Sequence, residues 1–138
     1  MCGLRTLARP ALTAMMVAIT AAPAFAAQLS PSEQGGVFAE CAGRYSAETE
    51  HLWLMAPASS DPVARRRDDF ADLVAAISPD LPPDLAGHLI GLRVAAKAAQ
   101  RQLLDRAAFA TRTDERQRAA ALASGFIAAC DRLLPAAS

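Results

Sequence analysis

Residues 38–55, "FAECAGRYSAETEHLWLM", gather a Cys, a His, a Met and the only Tyr and Trp of a 138-residue chain. Glu48 and His51 have the Glu-x-x-His spacing with which bundle helices bind di-iron centres. A complete centre needs a second such pair and a Glu from each of two further helices. The later helical stretches supply only Glu115. At 100° per residue with Cys41 as zero, Glu48 falls at about −20°, His51 at about −80° and Trp53 at about +120°. Cys41 and His51 lie about 15 Å apart along the axis, too far to share an ion. Glu48 is expected to pair with Arg44 one turn back, or with an arginine of a neighbouring helix.

The other reactive types lead no further. His51 and Met55 lie one turn apart on one helix and cannot sandwich a haem iron. Met55 ends the first helix and His88 begins the third, so their heights differ by most of a helix. There is no Cys-x-x-Cys-His for covalent haem, no Gly-x-Ser-x-Gly elbow and no phosphate-cradling glycine loop. The acidic pair Asp68 and Asp69 follows "RRR", and Arg65 and Arg66 are expected to answer it on a solvated face. No enzyme activity and no cofactor are expected. The ligand candidates for a metal are Glu48, His51, Met55 and His88.

The N-terminus points to export. Arg5 and Arg9 precede the apolar run "PALTAMMVAITAA", and "APAFA" offers a small-x-small cleavage site near Ala26. The run is shorter than the roughly 20 residues of a spanning helix, so residues 1–26 read as a cleaved signal peptide and 27–138 as one helical domain. Cys2 leaves with the signal. Removing Arg5 and Arg9 from 14 basic side chains leaves the 14 acidic ones ahead by two, a net charge of about −2. That balance gives no footprint for nucleic acid. The two remaining cysteines, Cys41 and Cys130, read as a disulfide in an oxidising periplasmic or extracellular compartment.

Strand patterns are nearly absent, and alanine, leucine and arginine dominate. Punctuation predicts four helices, at about 31–55, 62–77, 84–110 and 114–134. Ser30, Pro31 and Glu33 start the first as cap, first residue and capping-box partner. Asp61 is expected to cap the second, and Thr111 or Thr113 the last. "LSPSEQ" resembles, over six residues, the Leu-Thr-x-x-Gln helix start of periplasmic stress chaperones. It has Ser30 in place of the Thr, it is also simply a good helix start, and no function is carried over.

Short connections predict an all-α, antiparallel up-down-up-down four-helix bundle. Cys41, early in the first helix, would then lie beside Cys130, late in the fourth. On the first helix Cys41, Tyr45, Leu52 and Met55 form the expected core stripe. On the third, Gly87, Gly91 and Ala95 make a small-residue ridge with Val94 and Ala98 beside it, bordered by His88, Arg93, Lys97 and Arg101. The favoured reading makes this the most buried helix, with a neighbour packed close on glycine. The competing one makes Gly87, Gly91, Val94, Ala95 and Ala98 an interface. The expected function is that of an exported, non-enzymatic interaction protein: an accessory subunit, inhibitor or chaperone-like helical protein. The expected partner is another periplasmic or membrane-associated protein, or a second copy, with no stable membrane insertion. The alternative is a metal or haem carrier with ligands inside the bundle.

Overall fold

A computed structural model describes residues 29–134, so the expected signal peptide and the expected cleavage site near Ala26 lie outside the described residues. At the first helix both halves of the capping box are formed. Ser30 Oγ accepts from the Glu33 amide at 3.3 Å, and the Ser30 amide donates to the Glu33 carboxylate at 2.7 Å. The Ser30 hydroxyl also donates to the Glu33 carboxylate at 2.7 Å, and this bond first and the Ser30 amide second hold the Glu33 carboxyl below its usual range. Helix α1 runs Pro31–Met55, α2 Ser60–Ile77, α3 Pro83–Phe109 and α4 Thr113–Asp131. Single 3-10 turns occupy Pro57–Ser59 and Ser78–Asp80. No strand occurs among the described residues.

Three helix ends differ from expectation. Asp61 does not cap α2, because the 3-10 turn runs straight into the helix and Ser60 Oγ donates to Pro57 O at 2.7 Å. Neither Thr111 nor Thr113 caps α4. Arg112 occupies that position and clamps Asp114 through two nitrogens, at 2.9 and 3.1 Å, while Arg118 reaches the same carboxylate from the next turn. An acidic residue in the first turn answers the positive end of the helix dipole. Helix α4 stops at Asp131 rather than near 134. Leu134 precedes Pro135, a position biased away from helical backbone, and the chain closes with Leu133 N donating to Cys130 O at 3.0 Å.

The four helices alternate in direction as an all-α bundle tied by one disulfide. Their centre is α1. It buries Ala39, Cys41, Ala42, Gly43, Tyr45, Ala47 and Thr49, with α2 antiparallel on one flank and α3 parallel on another. Helix α4 lies antiparallel on α3 and reaches α1 at the cysteines. The Cys41–Cys130 bond has S–S 2.04 Å and Cα–Cα 5.7 Å. Around it Phe70 is fully buried, its ring 5.7 Å from Tyr45 and 6.2 Å from Phe38. Such aromatic neighbours attract beyond the area they bury. Val63, Leu73, Ile127 and Leu134 close over the cluster.

The expectation that the third helix is the most deeply buried is therefore corrected. Helix α3 buries only Leu89, Ala96 and Gln100. The close approach on glycine exists, but at Gly43 of α1, which faces the α3 backbone at Arg93 and Lys97. Met55 also leaves the expected core stripe. It is exposed, because the last turn of α1 runs past the end of the core.

Candidate functional site

The Glu48–His51 pair does not converge. Glu48 Oε1 accepts from Gln100 Nε2 at 2.7 Å and lines a groove on the α4 side with Tyr45, Val63, Ser124, Ile127 and Asp131. His51 lines a separate groove of about 290 Å³ between the last turns of α1 and α3, with Trp53, Leu54, Arg101 and Leu104. A 60° step on one helix is enough to send two side chains to different neighbours. The parallel register of α1 and α3 separates the remaining candidates. Gly35 lies against Leu89, Glu48 against Gln100 and Glu50 against Lys97, so exposed His88 and exposed Met55 sit at opposite ends. Among the described residues no three His, Cys, Asp or Glu side chains come together to hold a metal ion.

Glu48 has a partner that the sequence reading missed. Gln100 of α3 is fully buried, with Lys97, Arg101 and Gln102 close by in sequence. Its amide nitrogen donates to Glu48 and, at 3.1 Å, to the Ala123 carbonyl of α4. Its oxygen accepts from Arg44 Nη1 at 3.3 Å. One side chain thus links three helices and satisfies polar groups that would be costly to bury unpaired. Arg44 extends the network, its guanidinium carbon 3.8 Å from the centroid of the Phe126 ring, a favourable cation–π distance. Burial draws Arg44 below its ordinary pKa, with Glu40 opposing. Beside this network Lys97 Nζ meets Glu50 Oε1 at 2.5 Å. The "RRRDD" run is answered locally, Arg66 lying 3.9 Å from Asp69 as expected, but Asp68 is met at 2.8 Å by its neighbour Arg67 rather than by Arg65.

A second polar link ties α1 to the end of α4. The Tyr45 hydroxyl donates to Asp131, which also lies 3.9 Å from Arg66 Nε. Burial, then this hydrogen bond, pushes the Tyr45 phenol well above its ordinary value. The fold therefore favours protonated Tyr45. That contribution is complete below the unfolded value of about 10 and is lost as pH rises beyond it toward the folded value. Tyr45→Phe should cost about 1 kcal/mol at neutral pH and flatten the fall in stability above about pH 10. Urea titrations at several alkaline pH values check this, and identical slopes for parent and variant would refute it.

Among the described residues no catalytic grouping emerges, and Cys41 and Cys130 are spent in the disulfide. Two apolar surfaces stand out instead. On α3, Gly87, Gly91, Ala95 and Ala98 all face solvent, and a Cβ built on either glycine meets nothing within 4 Å. Val94 in the same stripe is 62% exposed, and Ile90, which the sequence reading passed over, is 68% exposed. At the bundle end, Trp53, Leu54, Met55 and Phe109 are exposed together. What the chain does rests on this geometry, for no protein-family model, curated protein or solved structure matches it.

Proposed function

We propose that the chain is an exported, non-enzymatic interaction protein that captures its partner through apolar helix-face contacts. The observation that carries this reading is the open face of α3, where Ile90 and Val94 flank small residues with no neighbour of their own. Contiguous exposed apolar surface of this kind marks interaction sites, and glycine and alanine let a partner backbone come close. The role is that of an accessory subunit, inhibitor or chaperone-like protein in the periplasm or outside the cell. The partner is another protein of that compartment or a second copy. Export through cleavage near Ala26 accords with the Cys41–Cys130 disulfide, because such bonds persist in oxidising compartments. No helix among the described residues is long and apolar enough to cross a membrane.

A photo-crosslinking residue at Val94, in protein expressed at its native level, should yield a discrete adduct. Gly91→Leu should abolish that adduct by holding the partner off, yet not lower the melting temperature, since a Cβ there meets nothing within 4 Å and leucine is the better helix former. The same adduct from exposed Asp72 on α2, or one that survives Gly91→Leu, would overturn the reading.

A further inference from the structure

The break between α3 and α4 is unlike the other two. Pro57 and Pro62 mark the passage from α1 to α2, and Pro79, Pro82 and Pro83 that from α2 to α3. Proline cannot continue a helix without losing a backbone bond, so those two breaks are written into the sequence. From Leu92 to Ser124 there is neither proline nor glycine. Helix α3 ends at Phe109 and α4 begins at Thr113, with no left-handed residue between them. Arg112, at the cap position of α4, makes no side-chain capping bond. Ala110 already has a helical φ of −60°, and only its ψ of 141° leaves the helix. Arg112 departs in the same way, at φ −87° and ψ 129°. A short connection thus reverses the chain without a glycine, a proline or a capping side chain to hold the turn.

What keeps α4 folded back is its seat. It buries Ala119, Ala123 and Cys130 and accepts bonds from Gln100 at the Ala123 carbonyl and from Tyr45 at Asp131. The Cys41–Cys130 bond ties it to α1. None of these contacts requires α4 and α3 to belong to one chain. With residues 110–112 turned helical, α3 and α4 become one helix over 83–131. Two such helices laid antiparallel present each α4 to the other copy's α3 and α1, with every contact of the seat reproduced. The two connections then meet at the two-fold axis. Exposed Phe109, at the end of α3, comes to the junction of the two copies. Short connections of this kind invite the exchange of an element between copies.

We propose that the chain dimerises by exchanging α4, so that residues 83–131 run as a single helix and Cys130 of each copy bonds the partner's Cys41. The partner is a second copy of this chain, and its seat is the one that α4 fills in the monomer. The disulfide fixes whichever form is present when it closes. Attack of a glutathione thiolate on Cys41 forms a mixed disulfide there and releases Cys130 as a thiolate. After the exchange, that thiolate attacks the partner's Cys41 and displaces the glutathione. Two bonds within chains become two between chains, with no net oxidation. The exchange uses the seat of α4 and does not depend on the open face of α3.

Incubating the exported chain in a buffer of reduced and oxidised glutathione should give a disulfide-linked dimer on a non-reducing gel, in a fraction that grows with protein concentration. Thr113→Pro tests the long helix. Thr113 is the first residue of α4, where proline is favoured, and Arg112 before it already has the extended backbone that proline asks for. The monomer should therefore melt with the parent or above it. The dimer, with a proline inside its long helix, should fall at least about tenfold. The double variant Thr111→Ala, Thr113→Ala should raise it about threefold or more, because alanine favours helix through the connection. Cys41→Ala chains mixed with Cys130→Ala chains should link to each other, while neither links to itself. Gly91→Leu should dimerise like the parent. A monomer at every concentration, a dimer indifferent to Thr113→Pro, a dimer lost with Gly91→Leu, or links formed as readily within either single-cysteine variant as between the two would each overturn the proposal.

Discussion

Reducing the Cys41–Cys130 bond, or replacing both cysteines by alanine, will lower the stability of the domain by about 4–5 kcal/mol and release α4 before the other helices. The magnitude follows from the sequence separation of 89 between the cysteines, since a cross-link of that span removes much of the freedom of the unfolded chain. It is a large share of the roughly 5–15 kcal/mol that holds a domain together. The selectivity follows from how α4 is seated. Its buried residues are Ala119, Ala123 and Cys130, while Leu122, Phe126 and Leu133 of this terminal segment face solvent. Ile127 and Leu134 are its larger anchors on the core, and both are only partly buried. Beyond these it is held by hydrogen bonds from Gln100 to the Ala123 carbonyl and from Tyr45 to Asp131, by Arg66 at 3.9 Å from Asp131, and by Arg44 over the half-exposed Phe126 ring. Without the disulfide little apolar area keeps it on α1. Urea denaturation should show the loss, and hydrogen exchange under reductant should show amides 113–131 opening while α1 to α3 stay protected. An unchanged urea midpoint, or protection lost evenly over all four helices, would refute the prediction.

The same details explain which parts of the molecule were legible in the sequence. The start of α1 was, because Ser30, Pro31 and Glu33 form a local unit whose bonds need no tertiary partner. The cysteine pairing was, because alternating helix directions bring an early residue of α1 beside a late one of α4. The inner face of α3 was not. Its residues are largely alanine and leucine around most of the circumference, and alanine gains or loses little either way, so spacing alone does not distinguish core from surface. Gln100 interrupts that helix with a polar group, which by type belongs outside, yet it is buried because Arg44, Glu48 and the Ala123 carbonyl all meet there. No local pattern announces three partners from two other helices. Glu48 was recognised as needing a partner, but the partner came from α3 and was an amide rather than a guanidinium. The apolar end shows the opposite case. Its apolar residues were present in the sequence, but only the parallel register of α1 and α3 brings Leu54 and Phe109 to the same end of the bundle.

Gly43→Ala should destabilise the bundle by about 3 kcal/mol, the most sensitive glycine substitution in the described structure. Intrinsic helix propensity pushes the other way, since alanine in a helix interior is favoured over glycine by about 1 kcal/mol. Packing decides the sign. A Cβ on Gly43 would lie 2.2 Å from the Arg93 carbonyl oxygen, 3.0 Å from its carbon and 3.1 Å from the Lys97 nitrogen. All three are backbone atoms of α3 and cannot swing aside, so the two helices must separate. Separation would also stretch the bonds that cross this seam, from Lys97 to Glu50 and from Gln100 to Arg44 and Glu48. At Gly35 the nearest atom is a methyl of Leu89 at 3.3 Å, the end of a side chain that can turn. At Gly91 nothing lies within 4 Å, so Gly91→Ala should gain up to about 1 kcal/mol from propensity alone. Melting curves should therefore move in opposite directions, with Gly43→Ala falling by more than about 10 °C. If Gly43→Ala melts with the parent, the seam between α1 and α3 is looser than these distances require. Opposite shifts would place the close helix contact on α1 and leave the two glycines of α3 open to a partner.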